Sequence, residues 1–286
     1  MTALARTRRR PDDAGECTAT ARFDSRRYRG LGGAARLAFV FLYAPLAVVI
    51  VYSFNSGSIV SRWESFSFSW YREVLDRNDV REAVWTSLRV AVAASAGGTA
   101  LAILAALGIV AMLRRGSSLA VGFLSMPLLV PEIVTAVGTL SFFVLIGLDR
   151  GMATLILAHT AFCVPFALLP IRARLAELDP AVFEAASDLG ASGVRLFRRV
   201  TLPLLVPGIV SGALLAFIIS LDDYLISAFV AGPQSTTLPI FLFGLIRRGA
   251  SPLINAVSTL LLLVTVAVLS ASYLTGKWRN QNEWTK

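Results

Sequence analysis

Residues 184–203 read Glu184-Ala185-Ala186-Ser187-Asp188-Leu189-Gly190-Ala191-Ser192-Gly193-Val194-Arg195-Leu196-Phe197-Arg198-Arg199-Val200-Thr201-Leu202-Pro203, a mixed polar stretch between two apolar runs at 152–171 and 204–221. Just upstream, Asp179-Pro180 pairs a good N-cap with the residue best tolerated at the first helical position, so a short helix is predicted from Pro180 to Leu189. Ala181, Ala185 and Leu189 recur every four residues and mark one small apolar stripe along it. Gly190 stands where a helix end needs positive φ. Ser192 is placed to cap a second short helix through Phe197 to Arg199, which Thr201-Leu202-Pro203 would end before the next apolar run begins. The stretch is thus expected to be a helical hairpin set between two long hydrophobic helices.

Working outward, the chain of 286 residues is 56% hydrophobic with a mean hydropathy of +0.68, too apolar for a domain whose surface faces water. A membrane-spanning helix needs about 20 apolar residues. Six runs qualify, near 34–54, 87–112, 119–147, 152–171, 204–221 and 252–275. The expected class is all-α, a polytopic membrane protein whose six-helix domain occupies 34–275, with the hairpin loop at 172–203. No stretch is left for a water-soluble domain with its own core, so any such domain that works with this one belongs to another chain.

The net charge of +9 could suggest nucleic acid, but its placement does not. With both termini inside, the segments 1–33, 113–118, 172–203 and 276–286 hold 18 of the Lys and Arg residues, and the outer segments 55–84, 148–151 and 222–251 hold 7. That asymmetry satisfies the positive-inside rule. It puts the hairpin and both tails in the cytoplasm, and the partner implied is membrane lipid. The first 33 residues, with Arg8-Arg9-Arg10, read as a disordered basic extension rather than a cleaved signal peptide, and 276–286 as a C-terminal tail. Cys17 and Cys163 are far apart and offer neither a disulfide nor metal-ligand spacing. No metal or other cofactor is expected, and no catalytic constellation is visible.

Along the chain, residues 69–77 are expected to form a short helix on the outer membrane surface, with Trp63, Trp70 and Tyr71 in the interfacial belt. The second span carries Ala94, Gly97 and Gly98, small residues suited to close helix approach, and Thr86 is expected to cap its start. In the third, Pro127 and Pro131 break the ladder beside Glu132. An acid at that depth is expensive, and two readings stand: a structural lock facing the bundle interior, or a residue lining a solute path. His159 in the fourth span reads as a hydrogen-bonded packing residue, with no partner evident. Asp222 and Asp223 at the outer end of the fifth repel one another and need water, a cation or strong donors. Asp222 could cap a helix or pair with Arg247 or Arg248, the pair could touch a cationic solute, and Tyr224 could wall it.

The order Glu-Ala-Ala, three residues, Gly, nine residues, Val-x-Leu-Pro resembles the EAA loop of ATP-binding-cassette importer permeases, from which only Val200 for Ile departs. The resemblance implies a type I ABC importer permease fold. It further implies that Glu184, Ala185, Ala186, Gly190, Leu202 and Pro203 couple the chain to an ATPase subunit, with Glu184 bonding at the ATPase groove and Gly190 setting the turn. Implied partners are a dimer of ATP-binding subunits, a second permease subunit and an extracytoplasmic solute-binding protein. The implied location is the bacterial inner membrane. Asp222-Asp223, three residues, Ser227, Phe229 and Gly232-Pro233, with Pro127 to Val134 and Leu238-Pro239, are similar to spermidine/putrescine permeases. For a polyamine, Glu132, Asp222, Asp223 and Tyr224 are then candidates for the substrate path. Relatives carrying amino-acid-like solutes, phosphonates or iron share the pattern. A secondary transporter or channel would leave the hairpin string without a role. The chain has no Gly-rich phosphate loop, and its only Lys residues are Lys277 and Lys286, so ATP hydrolysis is assigned to other subunits.

Overall fold

The computed structural model describes residues 31–60, 62–111, 117–249 and 252–283. The Arg8–Arg10 run and Cys17 of the expected tail lie outside them. The chain divides at Val48 into two compact units. The described part of the first is helix α1, Leu31–Tyr52, as far as Val48; Pro45 lies inside α1, and Phe39 and Tyr43 stack one turn apart.

The second unit holds α2 (Ser69–Asp76), α3 (Asn78–Ala111), α4 (Ser117–Leu129), α5 (Glu132–Leu145) and α6 (Met152–Ala176). A hairpin of α7 (Pro180–Asp188) and α8 (Gly193–Leu196) follows, then α9 (Leu202–Asp222), α10 (Leu225–Val230), α11 (Leu238–Arg247) and α12 (Leu253–Glu283). Five helices among the described residues are long and apolar enough to cross a membrane, and six if α4 and α5 count as one span bent by 108°. The bend falls at Val130-Pro131, where proline removes a backbone donor and crowds the preceding turn.

At the centre α3, α6 and α9 pack through small residues. Ala94, Ala102, Ala106, Cys163, Ala167 and Ala216 are buried in one cluster. A Cβ on Gly98 would lie 2.9 Å from the Cβ of Cys163, and one on Gly212 would lie 2.6 Å from the Ala167 carbonyl oxygen. Lipid tails are as apolar as leucine, so such approach gains dispersion contact where hydrophobicity offers no gradient. A second cluster joins α2, α3, α11 and α12 through Val74, Val80, Leu238, Phe241, Leu245 and Leu253. The expected helix at 69–77 therefore forms, and its inner face packs on protein.

Two expectations at α3 are corrected. The helix starts at Asn78, not near residue 87, because Val80 and Ala83 supply an inward face while Asp79, Arg81 and Glu82 face away; a search for unbroken apolarity misses such a turn. Thr86 is therefore a buried mid-helix residue and caps nothing. Its neighbour Ser87 does the capping elsewhere: the Leu238 N–H at the start of α11 donates to Ser87 Oγ at 2.8 Å. In the same way α12 runs on to Glu283, beyond the apolar limit at 275.

Candidate functional site

The hairpin follows from its sequence step by step. The Ala181 N–H donates to Asp179 Oδ1 at 2.9 Å, with Asp179 extended and Pro180 opening α7. At the other end Gly190 adopts φ +81°, the Gly190 N–H donates to Ser187 O and the Ala191 N–H donates to Ala186 O. These two bonds and the left-handed glycine make a Schellman cap, which a Cβ would strain. Ser192 stands at the N-cap of α8 but its hydroxyl makes no cap bond; only its carbonyl serves, accepting from the Arg195 N–H.

The expected stop at Thr201-Leu202-Pro203 is also corrected. Phe197–Thr201 form a π turn in which the Leu202 N–H reaches back to Phe197 O, and the helix runs unbroken into α9. Pro203 has no N–H and crowds the carbonyl four residues earlier, and the wider register accommodates both. Arg174 then ties the stem together, donating from Nε to Leu204 O at 3.1 Å and from Nη1 to Glu177 Oε2 at 3.1 Å. Nothing in the sequence separates Arg174 from the other loop arginines, because its acceptor is a backbone carbonyl 30 residues away.

What the hairpin presents is exposed. Leu189 is 89% and Val194 72% accessible, Ala181, Ala185 and Glu184 are open, and Glu184 has no ion-pair partner among the described residues. Arg195, Arg198 and Arg199 are exposed. Phe183 and Glu184 border a groove of about 800 Å³ that continues along Ala106, Val110, Arg172 and Leu175 at the ends of α3 and α6.

The four path candidates, Glu132 and the consecutive Asp222, Asp223 and Tyr224 that follow it far along the chain, come together. Glu132, Asp222, Asp223 and Tyr224 line one cavity of about 400 Å³ with Phe162, Phe166, Ile218, Ile219 and Leu225. Two breaks build it. Glu132 is the first residue of α5, just past the Pro131 bend, and Asp222 ends α9 where the chain turns extended at Asp223 before α10. Irregular backbone at that depth is tolerated only where it is buried in protein or borders a wet cavity. The two aspartates divide in environment: Asp222 is exposed, while Asp223 is buried and its Oδ1 accepts the Ser227 N–H at 3.0 Å. Asp223 is thus the aspartate that serves a helix start. Asp222 pairs with neither Arg247 nor Arg248; Arg247 lies over the Phe243 ring at 5.0 Å, and that ring packs on Tyr224.

Behind the cavity His159 is fully buried, with Nδ1 2.9 Å from Ser220 Oγ and Nε2 3.0 Å from Ser227 Oγ. The packing role expected of it is matched, and the partners come from α9 and α10. No group of three or more His, Cys, Asp or Glu able to hold a metal occurs among the described residues.

Residues 98–280 match the model of the family described as binding-protein-dependent transport system inner membrane component. The chain belongs to this family. Among relatives of the permease, the putrescine transport system permease protein PotI of Escherichia coli strain K12 is 41% identical over 256 residues, covering 86% of this chain and 90% of that protein. The spermidine/putrescine transport system permease protein PotC of the same strain is 34% identical over 243 residues, covering 85% and 92%. A chain of a bacterial ABC transporter that imports alginate superposes on the permease with TM-score 0.70 at 16% identity, covering 88% of this chain and 96% of that one. A chain of the MetNI methionine ABC transporter gives 0.58 at 21%, covering 68% and 92%. The likeness of the solved structures carries the fold, a type I ABC importer permease. The family and the sequence relatives make the chain a transport component of an inner membrane, not an enzyme.

Proposed function

We propose that this permease imports a short polyamine, an α,ω-diamine or a longer homologue, and that the acid-lined cavity lies on the cargo's path. The observation that supports this reading is the convergence of Glu132, Asp222 and Asp223 on a cavity whose other walls are Phe162, Phe166, Ile218, Ile219 and Leu225. A dehydrated ammonium group needs charge compensation, and the methylenes between two such groups need apolar surface. That lining offers both, with Tyr224 as an aromatic face for a cation. The relatives named for putrescine and spermidine point the same way.

Coupling is assigned to the hairpin. Its exposed Ala181, Ala185 and Leu189 stripe and the unpaired Glu184 suit a groove on a cytoplasmic ATPase subunit, and the Schellman cap at Gly190 holds the turn rigid enough to transmit force. Two ATPase subunits closing as a pair need two such hairpins, so a second permease subunit completes the complex. A solute-binding protein delivers cargo at the opposite face, and both termini lie on the ATPase side. The cycle then alternates access to the cavity between the two faces.

The test is uptake of labelled putrescine and spermidine into vesicles carrying the full complex, with and without ATP on the hairpin side. ATP-dependent accumulation is expected. Accumulation of a different solute only would discard the polyamine assignment, and polyamine flux without ATP would discard the coupling.

A further inference from the structure

The acid cavity is lined in part by a buried carboxyl with one oxygen that has no hydrogen-bond partner among the described residues. Asp223 is buried, its side chain 1% exposed, and its Oδ2 has no hydrogen-bond partner among the described residues; the Glu132 carboxyl lines the same cavity. Its other oxygen is fully engaged. Oδ1 accepts the Ser227 N–H at 3.0 Å and lies 3.7 Å from His159 Nε2. Two carboxyls sharing one cavity are an arrangement that either a shared proton or a cation resolves. A buried carboxylate left with one free oxygen is costly, and it persists here because its other oxygen is fixed from behind.

The fixing runs through His159. An imidazole offers one donor and one acceptor when neutral, and both nitrogens are used here, on Ser220 Oγ at 2.9 Å and Ser227 Oγ at 3.0 Å. Ser220 belongs to α9 and Ser227 to α10, so the ring bridges the two helices on either side of the break at Asp223. Ser227 in turn supplies the N–H that holds Asp223. Removing the ring would free α10 to rotate about the break and carry the carboxylate with it.

We propose that Asp223 and Glu132 form the seat of one primary ammonium group of the cargo, and that His159, through Ser220 and Ser227, is the positioning residue that aims Asp223 at it. Asp222, exposed at the cavity's rim, is left for the second ammonium. The assignment rests on the polyamine reading above and adds where one end of the molecule sits and what holds that place rigid. His159 touches no cargo; it acts only through Asp223.

The experiment is equilibrium binding of labelled putrescine to the purified complex of both permease subunits and the ATPase pair, with the solute-binding protein left out. Loss of a hydrogen bond that holds a charged group corresponds to about tenfold in affinity. His159→Ala is expected to weaken binding about tenfold, and His159→Gln, which keeps one donor and one acceptor, to recover most of it. Asp223→Asn is expected to weaken binding at least as far, and adding His159→Ala to Asp223→Asn to change little, since the ring works through that carboxylate. Multiplying effects in the double variant, or no recovery with glutamine, would overturn the positioning role. A wild-type complex that accumulates putrescine in vesicles yet binds none without the binding protein would overturn the seat and leave the cargo reading standing. A wild-type complex that does neither would overturn both.

Discussion

Three glycines on α3 meet three different surroundings, and replacing each by alanine separates helix propensity from packing. Within a helix Gly→Ala gains up to about 1 kcal/mol. At Gly108 a Cβ meets nothing within 4 Å, so that gain should appear whole. At Gly97 the nearest atom is the Thr160 Cγ2 at 3.0 Å, the tip of a side chain that can give way, so the net change should be close to zero. At Gly98 the Cβ would stand 2.9 Å from Cys163 Cβ and 3.2 Å from the Thr160 carbonyl oxygen. Ordinary carbon contact is ~3.5–4.0 Å, and neither neighbour can move without α6 moving. Overpacking of that kind costs about 1–3 kcal/mol, leaving Gly98→Ala below Gly108→Ala by about that much. At roughly 2–4 °C per kcal/mol the gap should be several degrees. Thermal unfolding of the three variants in one detergent, followed by loss of monodisperse protein, measures it. A Gly98→Ala variant as stable as Gly108→Ala would refute the close α3–α6 contact.

Ser87→Ala leaves the buried Leu238 N–H without its acceptor and should cost about 1–3 kcal/mol, read as a lower unfolding temperature; Ser87→Thr should retain most of the stability. Glu184→Lys and Gly190→Pro should leave the permease in the membrane but fail to co-purify ATPase subunits, or allow hydrolysis without uptake; normal uptake in both would remove the coupling role. Asp222→Asn combined with Glu132→Gln should depress uptake of a diamine at least tenfold at limiting solute while a stability measurement changes little. Unchanged uptake would take the cavity off the path.

The hairpin was the most legible part of the chain because its determinants are local. Asp179, Pro180 and Gly190 act within a few residues of themselves, and the cap bonds at both ends of α7 are the ones that such residues make in any helix of this length. The start of α3, the π turn and the stop at Pro203 were not legible in the same way. Each depends on a neighbour distant in sequence or on a register choice between helix types of similar energy.

Sequence by itself determined the class of solvent, the approximate spans and the family through one spaced string. Only the tertiary structure decided that Glu132 and Asp222 share a cavity, that Asp223 rather than Asp222 is the buried one, and that His159 bonds Ser220 and Ser227. Hydropathy and caps are properties of short windows, whereas those pairings arise where two broken helices meet. A lone histidine or a pair of acids carries no mark in sequence of the distant residue that will complete it, such as the serines 61 and 68 positions from His159.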